Sequence, residues 1–115
     1  MSFVYEVNVC VPVKEDAGAF QTFMSQKHLP DVQSTGKFTS IRFTIERPEA
    51  LGGKQTEVAP PSFVNFRTLF IASSEADLQS YLTDHAPRLR QDAIKHMPPG
   101  CEVSRRVWET VKEWY

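Results

Sequence analysis

The chain has few of the residues that mark metal-binding, disulfide-rich or membrane-spanning proteins. Its only cysteines are Cys10 and Cys101, and neither belongs to a CxxC or another paired Cys/His spacing. A metal site is therefore not expected. No apolar run approaches the roughly 18–20 residues that cross a bilayer, and no leader pattern opens the chain. A cytoplasmic protein with two reduced, unreactive thiols is expected, with a disulfide between them as the alternative.

The chain also lacks an excess of positive or negative charge. Thirteen Lys and Arg residues stand against 14 Asp and Glu residues, for a formal net charge of -1. A nucleic-acid-binding domain normally carries a basic surface, so we expect neither nucleic acid nor membrane as a partner. The 41% hydrophobic and 23% charged residues are ordinary for a globular protein, and the length fits a single domain over residues 1–115.

The most informative feature that is present is a repeated His-x-Pro tripeptide. His28 precedes Pro30, and His85 precedes Pro87, each late in a stretch of helical periodicity with strand-like runs on both sides. This repetition predicts two similar β-α-β halves. Because proline has no N–H group and disfavours helical geometry in the residue before it, each helix is expected to break there. A short helical turn is expected to restart at Pro30, and a second helical piece is expected after Pro87.

Alternating apolar and polar residues predict four strands, over residues 3–11, 38–47, 62–71 and 101–111. Helical spacing predicts one helix over residues 15–27 and another after Ser74, which with Asp77 resembles a helix cap. Residues 48–61 contain two glycines together and two prolines together, so they are expected to form an extended hairpin loop.

The element order β-α-β-β-α-β predicts an α+β, ferredoxin-like fold. Right-handed crossovers then give a four-stranded antiparallel sheet in the strand order 4-1-3-2, with both helices on one face. The second face has no cover within the predicted fold. With Phe38 placed on it, this face would expose an apolar patch, which a second copy related by a two-fold axis could bury.

The stretches HLPDVQSTGKFT (residues 28–39) and YLTDHAPRLR (residues 81–90) resemble the family catalogued as domain of unknown function 4286. The resemblance extends from residue 5 to about residue 108. That family is similar to the dimeric α/β-barrel superfamily, which includes antibiotic-biosynthesis monooxygenases, small polyketide cyclases and EthD-like proteins. The resemblance implies a dimeric α/β barrel, in which two sheets face each other in a homodimer, and it implies no established activity.

Polar side chains on the uncovered face would line a cavity between the two sheets of such a dimer. We predict that five of them bind a ligand with an anionic or carbonyl group; these are Glu6, Asn8, Arg42, Asn65 and Arg67. Because a buried charge needs a partner, Glu6 is expected to pair with Arg42 or Arg67. The alternative is an ion-pair network that only sets the register of the dimer.

His28 and His85 are candidates for catalytic acid/base groups, because imidazole titrates near pH ~6.5. Arg42 would then stabilise an oxyanion. The alternative is that each ring ends a helix and interacts with its last carbonyl groups. Their equivalent places in the two halves favour this alternative, since one active site seldom needs two copies of a residue.

Three functions remain open at this point, and none of them calls for a cofactor. The first is a homodimer that binds or senses a small molecule in a cavity between its sheets. The second is a cofactor-free cyclase, isomerase or monooxygenase that acts on a carbonyl or phenolic compound. The third is a structural subunit of a larger assembly, with residues 48–61 and the aromatic C-terminal tail as its contacts.

Overall fold

The computed structural model describes residues 2–48 and 62–115, so most of the predicted loop over residues 48–61 lies outside the described residues. The four strands are β1 (Phe3–Val11), β2 (Ser40–Ile45), β3 (Val64–Ala72) and β4 (Glu102–Glu109). They pair antiparallel in the order β2-β3-β1-β4. This is the predicted order, and the predicted α+β ferredoxin-like fold is confirmed.

Two helical regions cover one face of the sheet. The first begins with a 3₁₀ turn and contains α1 (Ala17–Phe23) and α2 (Leu29–Gln33). The second contains α3 (Glu75–Ser80) and α4 (Ala86–His96). At the start of α3 the Ser74 hydroxyl accepts a 3.1 Å hydrogen bond from the amide of Asp77, which confirms the predicted cap.

The predicted helix breaks at Pro30 and Pro87 are wrong, because each helix continues through its proline by way of a π-helical turn. The turns cover Met24–His28 and Tyr81–His85, and in each the amide of the residue before the proline donates to the carbonyl five residues earlier. In a regular α-helix the proline ring clashes with the carbonyl four residues before it. A wider turn relieves that clash, so the His-x-Pro repeat marks two matching π turns.

The hydrophobic core lies between the helices and one face of the sheet. In its aromatic part the Tyr5 ring centroid lies 5.5 Å from that of Phe70 and 6.3 Å from that of Tyr81. Phe38 is buried in the same cluster, with its ring centroid 4.7 Å from that of Tyr81. Its predicted place on the uncovered face is therefore wrong. Phe38 precedes β2, so strand alternation does not set its direction.

The other sheet face, called the open face below, has no helix packed over it in the described ranges. Residues paired directly across antiparallel strands point to the same side, so the register arranges the open-face side chains in rows. One end row is mostly apolar and consists of Ser40, Ile71, Val4 and Trp108. The following rows are mostly polar and consist of Arg42, Leu69, Glu6 and Arg106, then Thr44, Arg67, Asn8 and Ser104, then Asn65, Cys10 and Glu102.

Candidate functional site

A hydrogen-bonded network occupies the middle of the open face. Glu6 is 7% exposed, and it accepts a 2.8 Å hydrogen bond from the side-chain amide of Asn8. Arg67 Nε donates in turn to Asn8 Oδ1 at 2.8 Å and lies 3.8 Å from Glu6 Oε1. The expected pairing of Glu6 with an arginine is therefore confirmed for Arg67. These three residues are called the polar network below.

Arg42 and Asn65 lie on the same face but outside the polar network. Arg42 is exposed, and β3 separates its strand from that of Glu6. Since neighbouring strands are about 4.8 Å apart, an intervening strand makes a direct pair with Glu6 unfavourable. The Asn65 amide donates a 3.0 Å hydrogen bond to Glu46 Oε1. A trough of about 610 Å³ runs along this part of the face and touches Asn65, the polar network and β4.

A second cavity lies on the opposite side of the sheet, beneath the helices. It has a volume of about 280 Å³, just below the range of roughly 300–1,000 Å³ that is usual for ligand pockets. We call it the helix-side chamber. Its polar lining consists of Tyr5, His28, Thr68, Tyr81, Arg90 and Arg105. Its apolar lining consists of Val7, Val9, Phe20, Met24, Phe70, Ala93, Ile94, Met97 and Val103.

Two tyrosines and an arginine meet at one end of the chamber. Arg90 Nη2, on α4, donates a 2.9 Å hydrogen bond to the Tyr5 hydroxyl, on β1. The Tyr81 hydroxyl has no hydrogen-bond partner in the described part of the chain. Burial raises the pKa of Tyr81 to about 12, although Arg90 and Arg105 act against the rise. Tyr81 therefore keeps its proton, and with it a free donor, at neutral pH.

His28 contributes a neutral imidazole to the chamber. The π turn Met24–His28 ends at this residue, and its ring stacks near Phe23 at a centroid distance of 6.0 Å. Its Nδ1 atom is buried and has no hydrogen-bond partner among the described atoms. Burial lowers the pKa of His28, and Asp92 and Asp31 only partly oppose this effect. A neutral ring can accept a proton, and a buried polar atom without a partner requires an explanation.

His28 and His85 lie in equivalent π turns but do not share a cavity. The chamber lining includes His28 and excludes His85, whose ring lies 6.3 Å from that of Tyr81. Arg42 lies on the open face, so the sheet separates it from His28. The expected combination of a histidine base with Arg42 is therefore not assembled within one chain, and the polar network is likewise on the side away from His28.

The thiols and the metal-binding side chains offer no further site. Cys10 and Cys101 are both unpaired, and burial raises the pKa of the Cys101 thiol, which disfavours its reactive thiolate form. Within residues 2–48 and 62–115, no group of three His, Cys, Asp or Glu side chains is placed to hold a metal ion. In the same ranges, no helix is long and apolar enough to cross a membrane.

Sequence reasoning missed Tyr5, Tyr81, Thr68 and Arg90 as site residues. One signal was available, because an inward-facing tyrosine such as Tyr5 carries a hydroxyl that needs a partner when buried. Arg90 follows the second His-x-Pro tripeptide on a helix that carries several other charges. Nothing in that spacing separates the arginine that reaches the chamber from those that face solvent.

Solved structures with a similar fold include an EthD-like protein, a dimeric ferredoxin-like protein and a cofactor-independent oxygenase. An EthD-like protein from Ralstonia eutropha JMP134 is 22% identical with a TM-score of 0.58, covering 96% of this chain and 95% of its own. A dimeric ferredoxin-like protein from an uncultured marine organism is 9% identical with a TM-score of 0.63, covering 98% of both chains. A variant of SnoaB, a cofactor-independent oxygenase from Streptomyces nogalater, is 10% identical with a TM-score of 0.57, covering 96% and 95%.

Because the three structures are at most 22% identical to this chain, the comparison with them shows a shared fold and nothing about function. The comparison with curated proteins found no match. The family comparison gives a definite result, because one family model, described as "Domain of unknown function (DUF4286)", matches residues 2–111. Nearly the whole chain lies within that match, and the protein therefore belongs to the family of unknown function DUF4286.

Proposed function

We propose that this protein binds a small molecule in the helix-side chamber and that it does so as a homodimer. One observation carries the proposal. Among the described residues His28 Nδ1 is the one buried side-chain nitrogen or oxygen atom without a hydrogen-bond partner, and the Tyr81 hydroxyl, which opens onto the same largely apolar cavity, also has none. Most buried polar groups in proteins are hydrogen-bonded. A ligand that uses these groups would supply the missing partners.

A screen of small fragments by thermal denaturation tests the binding proposal. Fragments that bind the chamber raise the unfolding temperature of the wild type by mass action. They lose this effect in Ala93→Phe, which places a large ring in the half-buried lining of α4. Thr44→Val on the open face is the control and leaves the effect unchanged. A full screen without a hit, or hits that survive Ala93→Phe, would contradict the chamber as the ligand site.

The homodimer would form through the open face. Its apolar end row includes Trp108, which is 49% exposed in the single chain, and a second copy would remove that ring from water. Glu6 and Asn8 of the polar network each have a hydrogen-bond partner within one chain, and Arg67 is exposed to solvent. We therefore propose that it sets the register of the two sheets rather than holding a ligand. Similar folds described as dimeric support this assembly.

Cofactor-free catalysis is the second candidate function, and the state of His28 favours it. The chamber lining combines a neutral imidazole with an unpartnered Nδ1 atom and, at its other end, the donors of Tyr5 and Arg90, so one cavity holds a base and groups that stabilise developing negative charge. One neighbour in fold, SnoaB, is described as a cofactor-independent oxygenase.

A proton-exchange experiment separates catalysis from binding alone. A fragment hit with an acidic C–H bond is incubated in D₂O with the wild type and with His28→Gln. If His28 acts as a base, the wild type speeds exchange of that hydrogen and His28→Gln does not, although both bind the fragment. If the hydrogen exchanges equally fast with the wild type and with His28→Gln, His28 is not a base and only the binding function remains.

A further inference from the structure

We infer that the ligand of the helix-side chamber is a carboxylate with an apolar body, and that Tyr5, Tyr81 and Arg90 hold its carboxylate. This inference rests on the proposed binding function and names the class of ligand. Three features of the chamber support it, namely unused donors at one end, a positive charge without an acidic partner, and apolar walls elsewhere.

The first feature is a surplus of hydrogen-bond donors. Tyr5 accepts its hydrogen bond from Arg90, which leaves the hydrogen of its own hydroxyl available. Arg90 uses one of the five N–H groups of a guanidinium in this bond. Tyr81 adds an unused hydroxyl to the same lining; its ring centroid lies 6.3 Å from that of Tyr5, and the charge of Arg90 acts on it. Several unused donors at one end of a cavity are complementary to a ligand group that accepts more than one hydrogen bond.

The second feature is the distribution of charge. The chamber lining includes Arg90 and Arg105 and contains no Asp or Glu, and neither arginine forms an ion pair in the described part of the chain. The nearby carboxylates lie at the His28 end, where Asp31 pairs with Lys27. An anionic group is therefore favoured at the tyrosine end. A carboxylate also offers two oxygens, which match the paired donors of a guanidinium.

The third feature is the apolar character of the remaining wall. Phe20 and Met24 from the first helical region and Met97, next to α4, line the cavity, and Ile94, which is 67% exposed, lies where the cavity meets solvent. A strongly hydrated ligand, such as a sugar phosphate, would lose hydration there without receiving hydrogen bonds. An alkyl or aryl body gains from the same contacts by the hydrophobic effect. The expected ligand is therefore amphiphilic, with its head at Tyr81 and its body beneath the helices.

A series with one body and three head groups tests the inference. Octanoate, octanamide and octylammonium are titrated separately into the full-length protein, and dissociation constants are measured by NMR. Octanoate is expected to bind at least about tenfold more tightly than octanamide, because a charge-assisted contact replaces a neutral one. Octylammonium is expected to bind most weakly of the three.

Two variants show whether the preference comes from the named donors. Arg90→Gln is expected to reduce the affinity for octanoate about tenfold and to leave that for octanamide nearly unchanged. Tyr81→Phe removes a hydroxyl that holds no other residue, so it provides the same test without loss of an internal hydrogen bond. A head-group preference that survives in both variants would overturn the assignment of these residues.

The outcomes also separate this inference from the function on which it rests. If octanamide binds as tightly as octanoate, the inference fails and the chamber remains a binding site for neutral molecules. If none of the three compounds binds, the carboxylate class is excluded, and the fragment screen decides independently whether the chamber binds any small molecule.

Discussion

Arg90 and Tyr5 connect the second helical region to the central strand β1 through one 2.9 Å hydrogen bond. Tyr5 is 4% exposed, so this contact lies at the inner wall of the chamber rather than at its rim. The bond fixes the guanidinium beside Tyr81 and leaves most of its donors unused. One contact thus contributes to stability and also positions the group that we propose holds a ligand.

Removing the Tyr5 hydroxyl is expected to destabilise the fold. Tyr5→Phe deprives the half-buried Arg90 of its acceptor, and the free energy of unfolding is expected to fall by about 1–2 kcal/mol. Tyr81→Phe is the matched control, because its hydroxyl has no partner within the described ranges, and a change within about 0.5 kcal/mol is expected. Urea denaturation measures both values, and equal losses would show that the Arg90 bond has no net stabilising effect.

The polar network predicts different roles for two arginines on the same face. Arg67→Ala leaves the buried carboxylate of Glu6 without its cation and Asn8 Oδ1 without its donor. Because the Arg67 side chain is 59% exposed, solvent screening limits the expected loss to about 1 kcal/mol. Arg42→Ala is the control, with a change within about 0.5 kcal/mol. Chemical denaturation of the two variants side by side checks this, and a larger loss for Arg42→Ala would contradict the network.

Stability is expected to decrease on mild acidification because of His28. Burial lowers its pKa below the ordinary value of 6.5, so between those two values the unfolded chain binds more protons than the folded one. The stabilising contribution is therefore complete above pH ~6.5 and is lost as the pH falls through the folded pKa. The groups that bear on this titration are Asp92 on α4, Asp31 on α2 and Lys27 in the π turn.

NMR titration of the imidazole C–H signals measures this pKa directly, with the His28 signal assigned as the one absent from His28→Gln. In parallel, denaturation at pH 5 and pH 7.5 should show a smaller loss of stability at the lower pH in His28→Gln than in the wild type. A His28 signal that titrates at or above 6.5 would contradict the buried, neutral ring.

The proposed dimer predicts that two exposed tryptophans differ in importance. Trp108→Glu puts a charge into the apolar row of the open face and is expected to shift the protein toward monomer, because a desolvated charge without a partner is costly. Trp114→Glu is the matched control in the C-terminal tail, where Trp114 is 79% exposed. Sedimentation velocity at micromolar concentration distinguishes them. A wild type that sediments as a monomer would contradict the assembly itself.

Strand pattern predicted the sheet well because alternation reports directly which side chains enter the core. Alternation in β1 predicts Glu6 on the uncovered face, and the structure places Glu6 on the open face and its neighbour Tyr5 in the core. The same alternation predicts an arginine partner for Glu6, which the structure shows to be Arg67. Alternation fails outside strands, which is why Phe38 was placed on the wrong face.

The site was harder to predict because it depends on how the helices cross the sheet. From the local sequence a proline predicts a helix break, whereas in the fold each helix continues through its proline by way of a π turn. The meeting of Arg90 with Tyr5 joins residues 85 positions apart in the chain. No short-range pattern encodes that contact, so the helix-side chamber could be found only from the fold.

Isotope labelling at two residue types tests the central claim most directly. Met24 and Met97 line the helix-side chamber, whereas Trp108 belongs to the open face. A sample labelled in its methionine methyl groups and tryptophan indole nitrogens is titrated with octanoate and with the hits of the fragment screen. The account predicts that ligands shift the Met24 and Met97 methyl signals together and leave the Trp108 indole signal in place. Ligands that shift the Trp108 signal while both methionine signals stay unchanged would contradict it.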